Sequence, residues 1–180
     1  MKRIGYLFEK VYDLENCRNA ILEASENKRR RKNVKRIMKR IDYYAEKLSE
    51  MIKTETWECS PYTVRYINDG IRQKRRKLAK PRFWPDQCIH HAFDRVVGPL
   101  IAKSQYHYCT GCVKGKGIKL SKRGLELFIK RHPEWAKWVD KMDIYHCYDS
   151  VDHASLKTAL AEKIKDKAIL RAYGKIIDSY

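Results

Sequence analysis

Apolar residues recur along the first fifty positions at helical spacing. Ile4, Leu7, Val11, Leu14 and Ile21 fall three, four or seven apart, interrupted by Arg18, and predict an amphipathic helix. The spacing returns more cleanly at Val34, Ile37, Ile41, Tyr44, Leu48 and Met51, which predicts a second helix with a continuous seam. Ser60-Pro61 ends that pattern. Tyr62 to Ile67 then alternates β-branched and aromatic residues with polar ones, the signature of a strand. Asn68-Asp69-Gly70 supplies turn residues that tolerate positive φ, so Ile71 to Leu78 is expected to return as the second strand of a hairpin.

Helical spacing resumes after Pro81 and Pro85. Asp86 is expected to cap a helix carrying Ile89, Phe93, Val96 and Val97, with Gly98-Pro99 ending or kinking it. Ser121 is expected to cap the next helix, with Leu125, Phe128 and Ile129 on its apolar side and His132-Pro133 closing it. Trp135 to Ile144 reads as a strand that places Val139, Lys141 and Asp143 on one face. Asp152 is expected to cap a helix with Leu156, Leu160 and Ile164, and Lys165-Asp166 leads into a last one with Ile169, Leu170, Tyr173, Ile176 and Ile177. The fold class expected is α+β.

Charge changes the picture from fold to partner. Forty Lys and Arg stand against 22 Asp and Glu, a formal net charge of +18, and such self-repulsion calls for a polyanion. Nucleic acid is the leading reading and an anionic membrane surface the runner-up. No apolar run approaches the ~20 residues that span a bilayer, and no signal-peptide core follows Met1-Lys2-Arg3. The densest cluster is Lys28 to Arg40, where nine of thirteen positions are basic. Arg29, Arg30, Arg31, Lys35 and Arg36 are candidates for phosphate contacts that position a backbone without reading sequence. The bland alternative is a charged loop and helix flank. The returning hairpin strand is also strongly basic, with Arg72, Lys74, Arg75, Arg76 and Lys77 divided between its faces.

The six cysteines are scattered through a chain large enough to form a core, so they are read as reduced thiols of a cytoplasmic protein. His107, Cys109 and Cys112 form the sharper alternative, a zinc site. It lacks a second ligand pair unless His90 and His91 fold back, and zinc is not expected. The loop from Tyr106 to Gly117 combines three glycines with Lys114 and Lys116. It suits either contact with a nucleic-acid backbone or a flexible surface connection. No Gly-Lys-Ser/Thr end is present, so a Walker-type ATPase is not indicated.

Asp143, at the end of an expected strand, is either a ligand for a hard cation or a buried ion-pair partner. One aspartate cannot hold the two ions, ~3.5–4 Å apart, that phosphoryl transfer by two metals needs.

The stretch Asp143-Ile144-Tyr145-His146-Cys147-Tyr148-Asp149-Ser150-Val151-Asp152-His153 resembles motif A of reverse transcriptases, in the lineage of group II introns, retrons and diversity-generating retroelements. Upstream, Arg76 to Pro81, Asp86 to Phe93 and Gly98 to Leu100 resemble the fingers of those enzymes. Gly111 to Gly117 stands in the place of their second glycine-bearing block. The resemblance covers residues 60–180 and implies three parts: a basic helical extension over 1–59, a fingers-like region over 60–134, and a partial palm over 135–180. It implies an RNA-directed DNA polymerase with Mg²⁺, or Mn²⁺ in its place, and with template RNA, a primer and deoxynucleoside triphosphates as partners. Asp143 would be a catalytic metal ligand and the Ile144 carbonyl an additional one. Tyr148 would gate the sugar, and Arg76, with Lys74, would grip the triphosphate. The later Tyr/Phe-x-Asp-Asp block of the family is missing, and no Asp-Asp pair occurs in the sequence. The remaining palm and thumb, or a second chain, would be needed for activity, and these 180 residues alone are expected to be inactive.

Overall fold

The computed structural model describes residues 3–70, 74–111, 113, 115–144 and 147–180, with the side chains of Asp69 and Lys74 also left undescribed. It is α+β, with helices around a single antiparallel hairpin. The chain divides into two compact units, Met1–Pro99 together with Asp152–Tyr180, and Leu100–Val151.

The first unit opens with α1 (Phe8–Tyr12) and α2 (Leu14–Ser25) in place of one helix from Ile4 to Ile21. The break is at Asp13, whose carboxylate accepts the Asn16 amide at 3.1 Å and starts α2 afresh. Ile4 is drawn into a parallel bridge with Ile164, its amide donating to Lys163 O at 2.9 Å. The second expected helix is also two, α3 (Lys32–Met38) and α4 (Ile41–Lys53). The break is at Arg40, whose φ of −133° and ψ of 45° leave the helical region while its amide closes a tighter turn on Ile37 O at 3.0 Å. Within α4 the buried positions are Ala45, Leu48 and Ile52, with Tyr44 and Met51 half-buried at the edge.

After α4 come β1 (Thr63–Asp69) and β2 (Lys74–Lys80), paired from Thr63↔Lys80 to Asp69↔Lys74. Gly70 takes a φ of 71°, which an L side chain rarely adopts, while Asn68 and Asp69 belong to the strand. Val64 and Tyr66 on one face and Ile67 and Leu78 on the other are all exposed, so neither side of the ribbon packs on a core.

Next is α5 (Cys88–Lys103), entered through a π-type turn at Phe83–Gln87. Asp86 lies within that turn and does not cap the helix. The Cys88 amide, which a cap at Asp86 would take, already donates to Pro85 O, and the Asp86 carboxylate turns inward to accept the Ser60 amide at 3.3 Å. Gly98-Pro99 does not end α5, which runs on to Lys103. The first unit closes with α8 (His153–Lys163) and α9 (Lys167–Asp178), capped by Asp152 and Asp166.

Phe93 of α5 lies at the middle of the core, its ring 6.4 Å from Trp57 and 5.8 Å from Tyr173 of α9. Ile21, Ile37, Leu48, Ile52, Ile89 and Ile169 are fully buried with it. Burial pushes the thiols of Cys17 and Cys88 up to about 12, so both are neutral packing groups.

The second unit contains α6 (Ile118–Arg131) and the short α7 (Cys147–Ser150). Helix α6 starts three residues before Ser121, whose hydroxyl instead bonds that of Thr110. Gly124 is the one buried residue described in this unit, and the Tyr108 ring lies where a Cβ on it would sit. The strand expected over Trp135 to Ile144 does not form. A strand needs a neighbouring edge to take up its N–H and C=O groups, and among the described residues β1 and β2 pair only with each other.

Two measurements test this packing. Phe93→Ala is expected to cost about 3–5 kcal/mol in urea unfolding. The Arg171 guanidinium grips both oxygens of Glu55 and holds that carboxyl below its ordinary 4.5. A depressed carboxyl contributes stability that is present above the ordinary value and is lost as pH falls through the folded one. Arg171→Met should therefore flatten the dependence of Tm on pH below 4.5, and an unchanged profile in that range would rule the linkage out.

Candidate nucleic-acid interface

The basic run faces solvent because its apolar members do not. Val34 and Ile37 are buried by α3, which leaves Lys32, Lys35, Arg36, Lys39 and Arg40 exposed, and Arg29, Arg30 and Arg31 are exposed in the turn before it. None of these cations has a carboxylate partner among the described residues. Two acids near it in sequence are engaged elsewhere, Asp42 with Arg18 at 3.0 Å and Glu23 with Arg95.

Lys28 behaves differently. Its ammonium is half-buried and donates to Ala24 O at 2.9 Å and to Gln87 Oε1 at 2.6 Å. Gln87 in turn donates through Nε2 to Pro81 O at 2.7 Å, just past the end of β2. One glutamine therefore ties the basic turn to the base of the hairpin. Burial lowers the pKa of Lys28, and the neighbouring Arg31 lowers it further. The same effects appear at Lys80, lowered first by burial and then by Arg31, Arg65 and Lys28. Lys80 thus feels the charge of the basic turn as well as that of its own hairpin.

The strand register extends this patch. Thr63, Arg65 and Ile67 share a face with Lys80, Leu78 and Arg76, so exposed Arg76 falls on the same side as Arg65 and Lys80. On the opposite face the Arg75 guanidinium stacks over Tyr66 at 4.3 Å. Lys74 is opposite Asp69 in the ladder, its side chain outside the described atoms. Gln87 and the convergence of Lys28 with Lys80 were not readable from spacing, since 52 positions separate the two lysines in sequence.

The remaining candidates belong to the second unit. Lys116 donates to His107 O at 2.9 Å, so its ammonium closes the glycine-bearing loop. Lys114 lies outside the described residues, as does Cys112, on which the zinc alternative depends. Asp143 and Ile144 are exposed in a segment with neither helix nor strand, and Tyr148 is 84% exposed on α7. Among the described residues no three His, Cys, Asp or Glu side chains gather closely enough to hold a metal. A single solvated carboxylate does not fit a two-metal centre, and no chemical step through a metal follows from it. Asp152 accepts the Ser155 amide at 2.7 Å, and hydrogen bonding first to the Ser155 side chain and then to its amide holds the carboxyl below the usual range. His90, half-buried on α5, is lowered by burial and is kept neutral near pH 7, in keeping with a packing role.

No protein-family model and no curated protein sequence matches this chain. Among the described residues, no helix is long and apolar enough to cross a membrane.

The Gln87 link is open to direct measurement. Gln87→Leu takes its donor from Pro81 O and leaves the Lys28 ammonium with Ala24 O alone, and should cost about 1–3 kcal/mol. It should also raise amide exchange at 28–31 and 78–80 together, whereas a change confined to one stretch would show that the two are not joined.

Proposed function

We propose that the chain is an RNA-binding piece of a reverse transcriptase, one that holds an RNA backbone on its basic turn and hairpin. The observation that carries RNA binding is the row of exposed cations from Arg29 to Arg40, joined through Lys28 and Gln87 to the base of a hairpin with Arg65 and Lys80 on one face, and without a carboxylate partner among the described residues. Folding such a patch without a counter-ion costs stability, and a phosphate chain relieves it while releasing its own condensed cations. The polymerase origin is supported by the sequence resemblance, through the order of Arg76, Gly111 to Gly117, Asp143 and Tyr148. In the whole enzyme Arg76 and Lys74 would grip the triphosphate and Tyr148 would gate the sugar. Asp143 would contribute one carboxylate toward Mg²⁺, and template RNA, primer and deoxynucleoside triphosphates would be the partners. The unpaired thiols of Cys17, Cys59 and Cys88 are in keeping with the reducing cytoplasm.

A second reading, an RNA-binding protein without chemistry, is favoured by the exposure of Asp143 and the lack of companion ligands among the described residues.

Reversing Arg29, Arg30, Arg31 and Lys35 to Glu should weaken binding of a single-stranded RNA. The slope of log K against log salt should fall by about 0.7 for each phosphate no longer neutralised, or up to about 3 in all. An unchanged slope removes the basic turn from the interface. For the polymerase reading, a protein joining this chain to a Tyr/Phe-x-Asp-Asp palm block should extend a primer on RNA. Its Asp143→Ala variant should not, and surviving synthesis would show that Asp143 is not a ligand.

A further inference from the structure

Tyr6 adopts a φ of 59° while its side chain is 94% exposed. A bulky L-residue takes that conformation only at a cost. The two other non-glycine residues described there have local reasons: Asn27 is of a type that tolerates the region, and Glu55 follows the end of α4, where a left-handed residue is common. Tyr6 has neither reason, and packing does not compensate a ring that stands in solvent.

Tyr6 lines an open cavity of about 480 Å³ together with Phe8, Glu9, Tyr12, Lys53, Lys165 and Asp166. The volume is in the range of sites for small molecules, about 300–1,000 Å³. Phe8 and Tyr12 meet edge to face, their centroids 5.4 Å apart. The Asp166 charge is directed into backbone: Oδ2 accepts the Leu7 and Phe8 amides, each at 3.1 Å, and Oδ1 accepts the Ala168 amide at 3.2 Å. Neither Lys53 nor Lys165 has a carboxylate within ion-pair distance among the described residues. Glu9, also on the wall, is left to accept from an amino or hydroxyl group.

Three rings beside two uncompensated ammonium groups match the two halves of a nucleotide, a flat base and a phosphate. We propose that this cavity binds one nucleotide unit of a single-stranded RNA, its base on Tyr6 and its phosphate between Lys53 and Lys165. The proposal rests on the reading of the chain as RNA-binding and adds a second point of contact. Arg40 precedes α4 and Lys53 ends it, so the cavity and the basic run occupy opposite ends of a helix about 20 Å long.

The test is the affinity of a 15-residue oligouridylate for the full chain and its variants, with Tm measured on each. Glycine takes a φ of 59° without strain, so Tyr6→Gly should raise Tm while weakening RNA binding by about fivefold to a hundredfold. Tyr6→Phe should retain the affinity, and Lys53→Glu should lower it. A fall in Tm for Tyr6→Gly, with affinity intact, would show a structural residue and overturn the proposal. If wild type and all variants bind equally, the cavity does not touch RNA, while the basic turn keeps its role. A wild-type chain without RNA affinity overturns both. Adenosine monophosphate titrated alone separates the sources: binding that depends on Tyr6, with RNA affinity independent of it, would make this a mononucleotide site and overturn the assignment to RNA.

Discussion

Like-charge repulsion is the constraint on which this structure depends. With 40 basic side chains and 22 acidic ones, the chain cannot pair its charges, so the placement of the acids decides where compact packing is possible. In the first unit the acids lie at joints. Asp13, Asp152 and Asp166 cap helices, Glu23 and Glu55 hold Arg95 and Arg171 across elements, and Asp178 receives Lys157. The turn before α3 and the hairpin receive few acids and no packed core on their outer faces, and the surplus charge collects there. Lys28 shows where the two regimes meet, an ammonium drawn partly out of water and satisfied by Ala24 O and Gln87.

Legibility in the sequence follows the range of the interactions concerned. The hairpin was readable because alternation and turn residues act within a dozen positions, and its pairing runs from Thr63 to Lys80. The cap at Asp152 was readable for the same reason, while that at Asp166 appears only in the structure. The breaks at Asp13 and Arg40 were not readable, since apolar spacing carries on across them, and only the cap at Asp13 and the non-helical backbone at Arg40 show where the helices stop. Asp86 has the chemistry of a cap, but the amides ahead of it are taken and the Ser60 amide, 26 residues away in sequence, claims it. The basic run was legible as charge. That it meets Lys80 was not, because Gln87 has no signature that marks it as a bridge.

The segment around Asp143 shows the limit in another way. Its alternating apolar residues have the right pattern for a strand, yet Trp138, Val139 and Met142 are more than four-fifths exposed. Pattern states which face a strand would bury. It does not supply the neighbouring edge or the opposing layer, and without them among the described residues the segment keeps its sequence signature and none of the expected geometry.

The clamp between the first ten residues and the last helices has a consequence for how the protein is made. Leu7 and Phe8 donate to Asp166 across sequence separations of 159 and 158, and Ile4 exchanges bonds with Lys163 and Lys165. During synthesis at about 5–20 residues per second, the amino-terminal segment emerges on the order of ten to thirty seconds before its partners exist. The second unit, inserted between Pro99 and Asp152, must leave the ribosome in that interval. Helices α1 to α5 therefore wait with part of their core open. Vectorial synthesis can assemble the hairpin and its neighbours early, but the first unit is completed only after α9 has arrived, so its last bonds to form join the stretch from Ile4 to Phe8 to the stretch from Lys163 to Asp166.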